Sequence, residues 1–214
     1  VNKLTGVFIG QWEPDTDEWL EARLNRLGGS EIAVACGWSP YDTRDELMQR
    51  KVGLLPRQEI TDAMLRGKLC EDAVLAWLDQ KHGLNATVQH PGTFVHPANN
   101  RWLYNPDGIR TNADGDLILL EAKTVSDRSV DSGWGRAGSD KIPIYYQCQV
   151  MWGMGILGLD VCHVGVLHGA TNGRPDLGFA TYTVAFKQEL FDLLAERADV
   201  FLNDLDALRE RSAA

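Results

Sequence analysis

The stretch "YNPDGIRTNADGDLILLEAK", from Tyr104 to Lys123, leaves the backbone little local choice. Ala113-Asp114-Gly115 fits a three-residue hairpin loop with glycine in the left-handed position. That loop sets Asn112 opposite Asp116 and, counting back along both strands, Asp107 opposite Glu121. A two-residue loop would slide the pairing by one and separate them. Pro106 has no amide hydrogen, which suits an edge or a bend at Asp107. The return strand runs Leu117-Ile118-Leu119-Leu120, and its period of two puts Leu119, Glu121 and Lys123 on one face.

Asp107, Glu121 and Lys123 thus converge, and the residues alone allow two chemistries. One is a cross-strand ion pair beside a solvated Asp107. The other is half of a site for Mg²⁺, a hard cation that takes oxygen ligands and keeps several waters. Such an ion polarises a phosphodiester and helps to ionise an attacking water. A neighbouring lysine would orient that water or stabilise charge on the phosphate. Asn112, Asp114 and Asp116 imitate an EF-hand loop, but Leu117 stands where its glycine belongs and Lys123 where its closing glutamate belongs.

A helix is expected over 16–27, stopped by Gly28-Gly29. Ser30 can cap a short helix ending near Gly37, and Thr43 with Glu46 forms a capping box that opens a helix ending at Gly53. Residues 59–82 read as one long helix with Gly83 as its stop. Short β-rich runs follow over 86–125. A helix from Pro143 to about Leu157, strands near 161–167 and 178–185, and an amphipathic helix over 186–210 complete the order. This predicts a single α/β domain over 1–214, a central mixed sheet flanked by helices, with its core at about 59–185.

Within the long helix, Gly67, Glu71, Val74 and Leu78 share one face, with Ile60, Met64 and Leu75 close by, while Asp72 points away. Glu71 therefore falls in an apolar stripe, where a carboxylate must be paired, protonated or metal-bound. The alternative places it at the stripe's edge, beside an arginine. Gly67 leaves room for a group approaching that carboxylate closely.

The net charge of −9 argues against binding nucleic acid by bulk attraction, but a carboxylate cluster neutralised by metal ions is compatible with it. Cys36, Cys70, Cys148 and Cys162 form no Cys-x-x-Cys pair, so free thiols in a reducing cytoplasm are expected rather than zinc or an iron–sulfur cluster. No membrane span and no signal peptide are expected. His90, His96, His163 and His168 are expected to have no catalytic role, and Trp38 and Trp134 are candidates for stacking on bases.

Together with Pro106-Asp107 and Glu121-Ala122-Lys123, three ordered blocks carry a resemblance. They are "WLEARLNRLGGSEIAVACGWSPY", "RGKLCEDAVLAWLDQKHG" and "IPIYYQCQVMWGMGILGLD", with its Tyr-Tyr-x-x-Gln helix. Over residues 19 to 168 the chain resembles the YqaJ-type viral recombinases, the family of lambda exonuclease within the PD-(D/E)XK nucleases. The resemblance implies a restriction-endonuclease-like core and Mg²⁺-dependent hydrolysis of DNA, with Mn²⁺ able to substitute. It implies that Asp107, Glu121, the Ala122 carbonyl and Glu71 hold metal, and that Lys123 is the catalytic lysine. Gln147 and Gln149 are both candidates for a supporting glutamine, Gln147 being preferred. Lambda exonuclease holds a 5′ phosphate with an arginine and a serine whose spacing Arg23 and Ser30 share, which would make the helices of 16–53 part of a DNA-end-binding region. Arg23 also reads as a solvated side chain and Ser30 as a plain cap. The expected activity is that of a 5′→3′ exonuclease on double-stranded DNA ends. The resemblance also implies a ring-shaped trimer and a single-strand annealing protein as partner. The alternatives are an endonuclease, a Cas4- or AddB-like nuclease of the same fold, or an inactive DNA-binding module.

Overall fold

The hairpin forms in the expected register. In a computed structural model, which describes residues 3–13, 16–88, 92–125, 133–169 and 178–213, strand β5 (Gly108–Thr111) pairs antiparallel with β6 (Leu117–Val125). Gly108 stands opposite Leu120 and Thr111 opposite Leu117. Gly115 takes φ 86°, a conformation open chiefly to glycine. The Asn112 amide closes the loop on the Asp116 carbonyl at 2.9 Å. One step beyond Gly108, the same register sets Asp107 opposite Glu121.

Five strands form the main sheet, in the order β2-β5-β6-β7-β8, with β2 at Asn85–Val88, β7 at Val161–His168 and β8 at Gly178–Ala185. All neighbours are antiparallel except β6 and β7, which run parallel. A parallel pair needs a crossover, and helix α5 (Ile144–Leu157) lies in that connection. A smaller sheet joins β1 (Val7–Gly10), β3 (Thr93–His96) and β4 (Asn99–Tyr104) in the order β1-β3-β4.

The two faces of the main sheet carry different covers. Helix α4 (Asp62–His82) packs Leu75 and Leu78 on Ile118 and Leu120 of β6. On the other face, Leu119 of β6 joins the larger core, which is centred on α5. Val150, Met151, Trp152 and Met154 of α5 are wholly buried, as a helix that is apolar all round must be. Period-two alternation then puts Glu121 and Lys123 on the α5 face, with Leu119. The remaining helices are α1 (Asp17–Leu24), α2 (Gly29–Ala35), α3 (Arg44–Lys51) and α6 (Gln188–Ala213).

Three expectations change. The first helix ends at Leu24 rather than residue 27, because Leu27 leaves it to bridge Trp102, its amide bonding the Arg101 carbonyl at 2.8 Å. Ser30 is not the cap of α2. Gly28 holds that position, its amide donating to the Glu31 carboxylate at 2.8 Å, and Ser30 lies exposed in the first turn. The long helix starts at Asp62 rather than residue 59, so Ile60 precedes it, and the apolar stripe of α4 is buried only from Val74 onward, with Met64 exposed. Thr43 and Glu46 form the expected capping box, and Gly83 ends α4 in the left-handed conformation.

Candidate active site

Glu121 is wholly buried, at 0% exposure, midway along β6. An ionised carboxylate there needs strong donors, and three reach it. Lys123, two residues on along the same face, makes an ion pair with Oε1. The Gln149 side-chain amide of α5 donates to Oε1 at 2.5 Å. The Tyr104 hydroxyl, at the end of β4, donates to Oε2 at 2.6 Å.

Asp107 follows Pro106 in the bend just before β5. Its Oδ2 accepts the Ala122 amide at 2.8 Å, so it is anchored to the strand that carries Glu121. Burial raises the Asp107 carboxyl well above the usual carboxylate range, and the charges of Glu121 and Glu71 push in the same direction against Lys123. Burial alone would lower the Lys123 ammonium, but Glu121 and Asp107 outweigh it and raise it, so this lysine stays protonated. Its Nζ also lies 5.1 Å above the Tyr146 ring.

Glu71 is half-buried on α4, which covers the opposite face of β6 from Glu121. It acts on Asp107 through its charge, and Asp72 beside it is exposed, as expected. Among the described residues, no group of three or more His, Cys, Asp or Glu is arranged to hold a metal ion. Asp107 and Glu121 nevertheless suit one hard cation, since Mg²⁺ is commonly held by one or two carboxylates plus waters. Burial is the main cause of the rise at Asp107, and the charges of Glu121 and Glu71 that add to it are ones such an ion would offset.

The structure separates the two glutamines. Gln147 and Gln149 lie about 200° apart around a helix, and the amide that reaches Glu121 belongs to Gln149. The glutamine in contact with Glu121 is thus Gln149, where Gln147 had been preferred. The signal was present, because Tyr-Tyr-x-x-Gln counted from Tyr145 ends on Gln149.

Arg23 is largely buried and engaged. Its Nη2 lies 3.7 Å from Glu31, its Nη1 donates to Asn105 Oδ1 at 3.0 Å, and its guanidinium stacks 4.5 Å from the Trp19 ring. Asn105 in turn donates to Thr93 Oγ1 at 2.6 Å. Arg23 thus reaches the loop that carries Asp107, two residues along the chain. Trp134 packs on Tyr146 and Tyr182, and Trp38 lies against the larger core. His90 and residues 126–132 of the expected 126–141 loop lie outside the described residues.

Solved exonuclease structures share this architecture. The alkaline exonuclease of Laribacter hongkongensis matches with a TM-score of 0.70 at 21% identity, over 92% of this chain and 96% of that one. A phage-related exonuclease from Haemophilus somnus 129PT matches with a TM-score of 0.62 at 12% identity, over 87% of this chain and 96% of the other. The chain belongs to the YqaJ-like viral recombinase domain family, whose model matches residues 18–160. It is 28% identical over 206 residues to the uncharacterized protein YqaJ of Bacillus subtilis (strain 168). That match covers 95% of this chain and 60% of the relative's length.

Proposed function

We propose that the protein is a metal-dependent deoxyribonuclease, a 5′→3′ exonuclease acting on double-stranded DNA ends in phage-type recombination. The observation that carries this reading is the wholly buried Glu121 with a protonated lysine on one oxygen and Asp107 tied to the next residue of the strand. A structural module gains nothing from an acid in that position, since burying charge is costly even when it is paired.

Asp107 and Glu121 would hold Mg²⁺ or Mn²⁺, with Glu71 contributing from α4. In an extended strand the N–H and C=O of one residue point to the same side. The Ala122 carbonyl therefore faces the same edge as its Asp107-bonded amide and is a further oxygen donor. When bound, the cation supplies Lewis-acid polarisation of the phosphodiester and a more acidic water. Lys123 would orient the attacking water and stabilise charge developing on the phosphate. Gln149 fixes the carboxylate that Lys123 contacts. Arg23, with the exposed Ser30, would receive the 5′ phosphate, and its bond to Asn105 links that end to the Asp107 loop. A ring-shaped trimer and an annealing partner belong to the same proposal.

The test is hydrolysis of linear duplex by Glu121→Gln and Lys123→Ala. Both should lose about 10²-fold or more in rate while retaining the wild-type circular dichroism spectrum. Near-normal cleavage by either one refutes the site assignment.

A further inference from the structure

Glu121 has one partner that the chemistry above leaves unused. Gln149 and Lys123 converge on Oε1, while Oε2 accepts from the Tyr104 hydroxyl. The Tyr104 ring is 1% exposed, and it lies in a slot that two helices leave open by having no side chains there. A Cβ at Gly153 of α5 would stand 2.3 Å from the ring's Cζ. A Cβ at Gly29 of α2 would stand 2.5 Å from the ring's edge carbons. No real Cβ approaches that closely, so any other residue at either position displaces the ring. The slot has room for an aromatic ring and little freedom for it to turn away. At its far end it delivers one hydroxyl to one carboxylate oxygen.

We propose that Tyr104 is a positioning residue of the metal site: through Oε2 it holds the Glu121 carboxylate in one rotamer, in place before a cation arrives. This rests on the metal-site reading above. Groups that orient a ligating side chain govern metal affinity even though they never touch the metal. The same constraint accounts for glycine at both Gly29 and Gly153, which helix propensity alone disfavours.

The probe is Mn²⁺ alone, without DNA, with the free ion counted by electron paramagnetic resonance. Tyr104→Phe keeps the ring in its slot and removes only the hydroxyl. Its Mn²⁺ affinity should fall by about 10- to 100-fold, with near-ultraviolet circular dichroism unchanged. In a Glu121→Gln background, Tyr104→Phe should produce no further loss. Unchanged affinity in the single variant, or an equal loss in both backgrounds, overturns the positioning role and leaves the metal-site reading standing. Absence of Mn²⁺ binding by the wild type overturns both. If Tyr104→Phe does not fold, the wild type still decides. Added Mg²⁺ should perturb the absorbance of a buried tyrosine, because the charge its hydroxyl faces is neutralised, and an unchanged tyrosine spectrum at saturating Mg²⁺ refutes the proposal.

Discussion

Asp107 and Glu121 were legible as a pair because a three-residue loop admits one register, and the pairing of Gly108 with Leu120 carries that register through to them. Lys123 followed from period-two alternation alone. Gln149 was legible in principle from the Tyr-Tyr-x-x-Gln spacing. Tyr104 was not, because its slot is made by glycines from two other segments that meet only in the folded chain. The glutamines give a discriminating prediction. Gln149→Ala should lower the cleavage rate by about tenfold or more, because it releases Glu121 Oε1, while Gln147→Ala should stay near the wild type. Single-turnover rates on one duplex measure both, and the reverse order contradicts the geometry.

Local capping signals placed most elements, and they failed where a tertiary partner competed with them. Ser30 has a good capping side chain, yet Glu31 caps the Gly28 amide because Lys51 and Arg23 hold its carboxylate there. Burial works against ionising Glu31, but the charges of Lys51 and then Arg23 win and lower its carboxyl. Lys51 is itself buried and also donates to the Arg26 carbonyl at 2.9 Å. Glu31→Ala leaves that ammonium without its counter-charge and should cost about 3 kcal/mol in urea unfolding. Lys51→Met should cost less. An exposed-type effect of a few tenths for Glu31→Ala would show that the cluster does not join α2 to α3.

The end of α4 meets the sheet through stacked imidazoles, His82 and His163, with ring centroids 3.9 Å apart. Each bonds a threonine of β8, Thr181 or Thr183. His163, expected to have no catalytic role, has a structural one that the sequence did not reveal. Burial, then the neighbouring His82, lowers His163 to about 4. Burial, then Lys81, lowers His82. A histidine more acidic in the folded chain than in the unfolded one favours folding only while neutral. Its contribution is therefore fully present above about pH 6.5 and is lost as pH falls toward about 4. Discounted for partial exposure, the loss should be about 1 kcal/mol. His163→Phe should flatten the pH dependence of the thermal midpoint over that window, and an unaltered slope would contradict it.

At the scale of the molecule, the alternation of helix and strand patterns predicted a mixed sheet between helices, and the five-stranded sheet with α4 and α5 on its two faces is that arrangement. The parallel pairing of β6 with β7 was not legible, since periodicity gives strands but not their neighbours. The upper half of α4 illustrates the same limit. Met64 follows the helical stripe, yet it is exposed, as are Leu65 and Leu69 beside it. Among the described residues, no helix is long and apolar enough to cross a membrane.

The proposed function puts the chemistry at a DNA end, and the most direct measurement is time-resolved digestion of a linear duplex labelled separately at its 5′ and 3′ ends. A covalently closed circle and an EDTA-treated sample run beside it. The 5′ label should be released first and only with Mg²⁺, with the circle intact and the EDTA sample inert. Prior release of the 3′ label, cutting of the circle, or hydrolysis that persists in EDTA would contradict it.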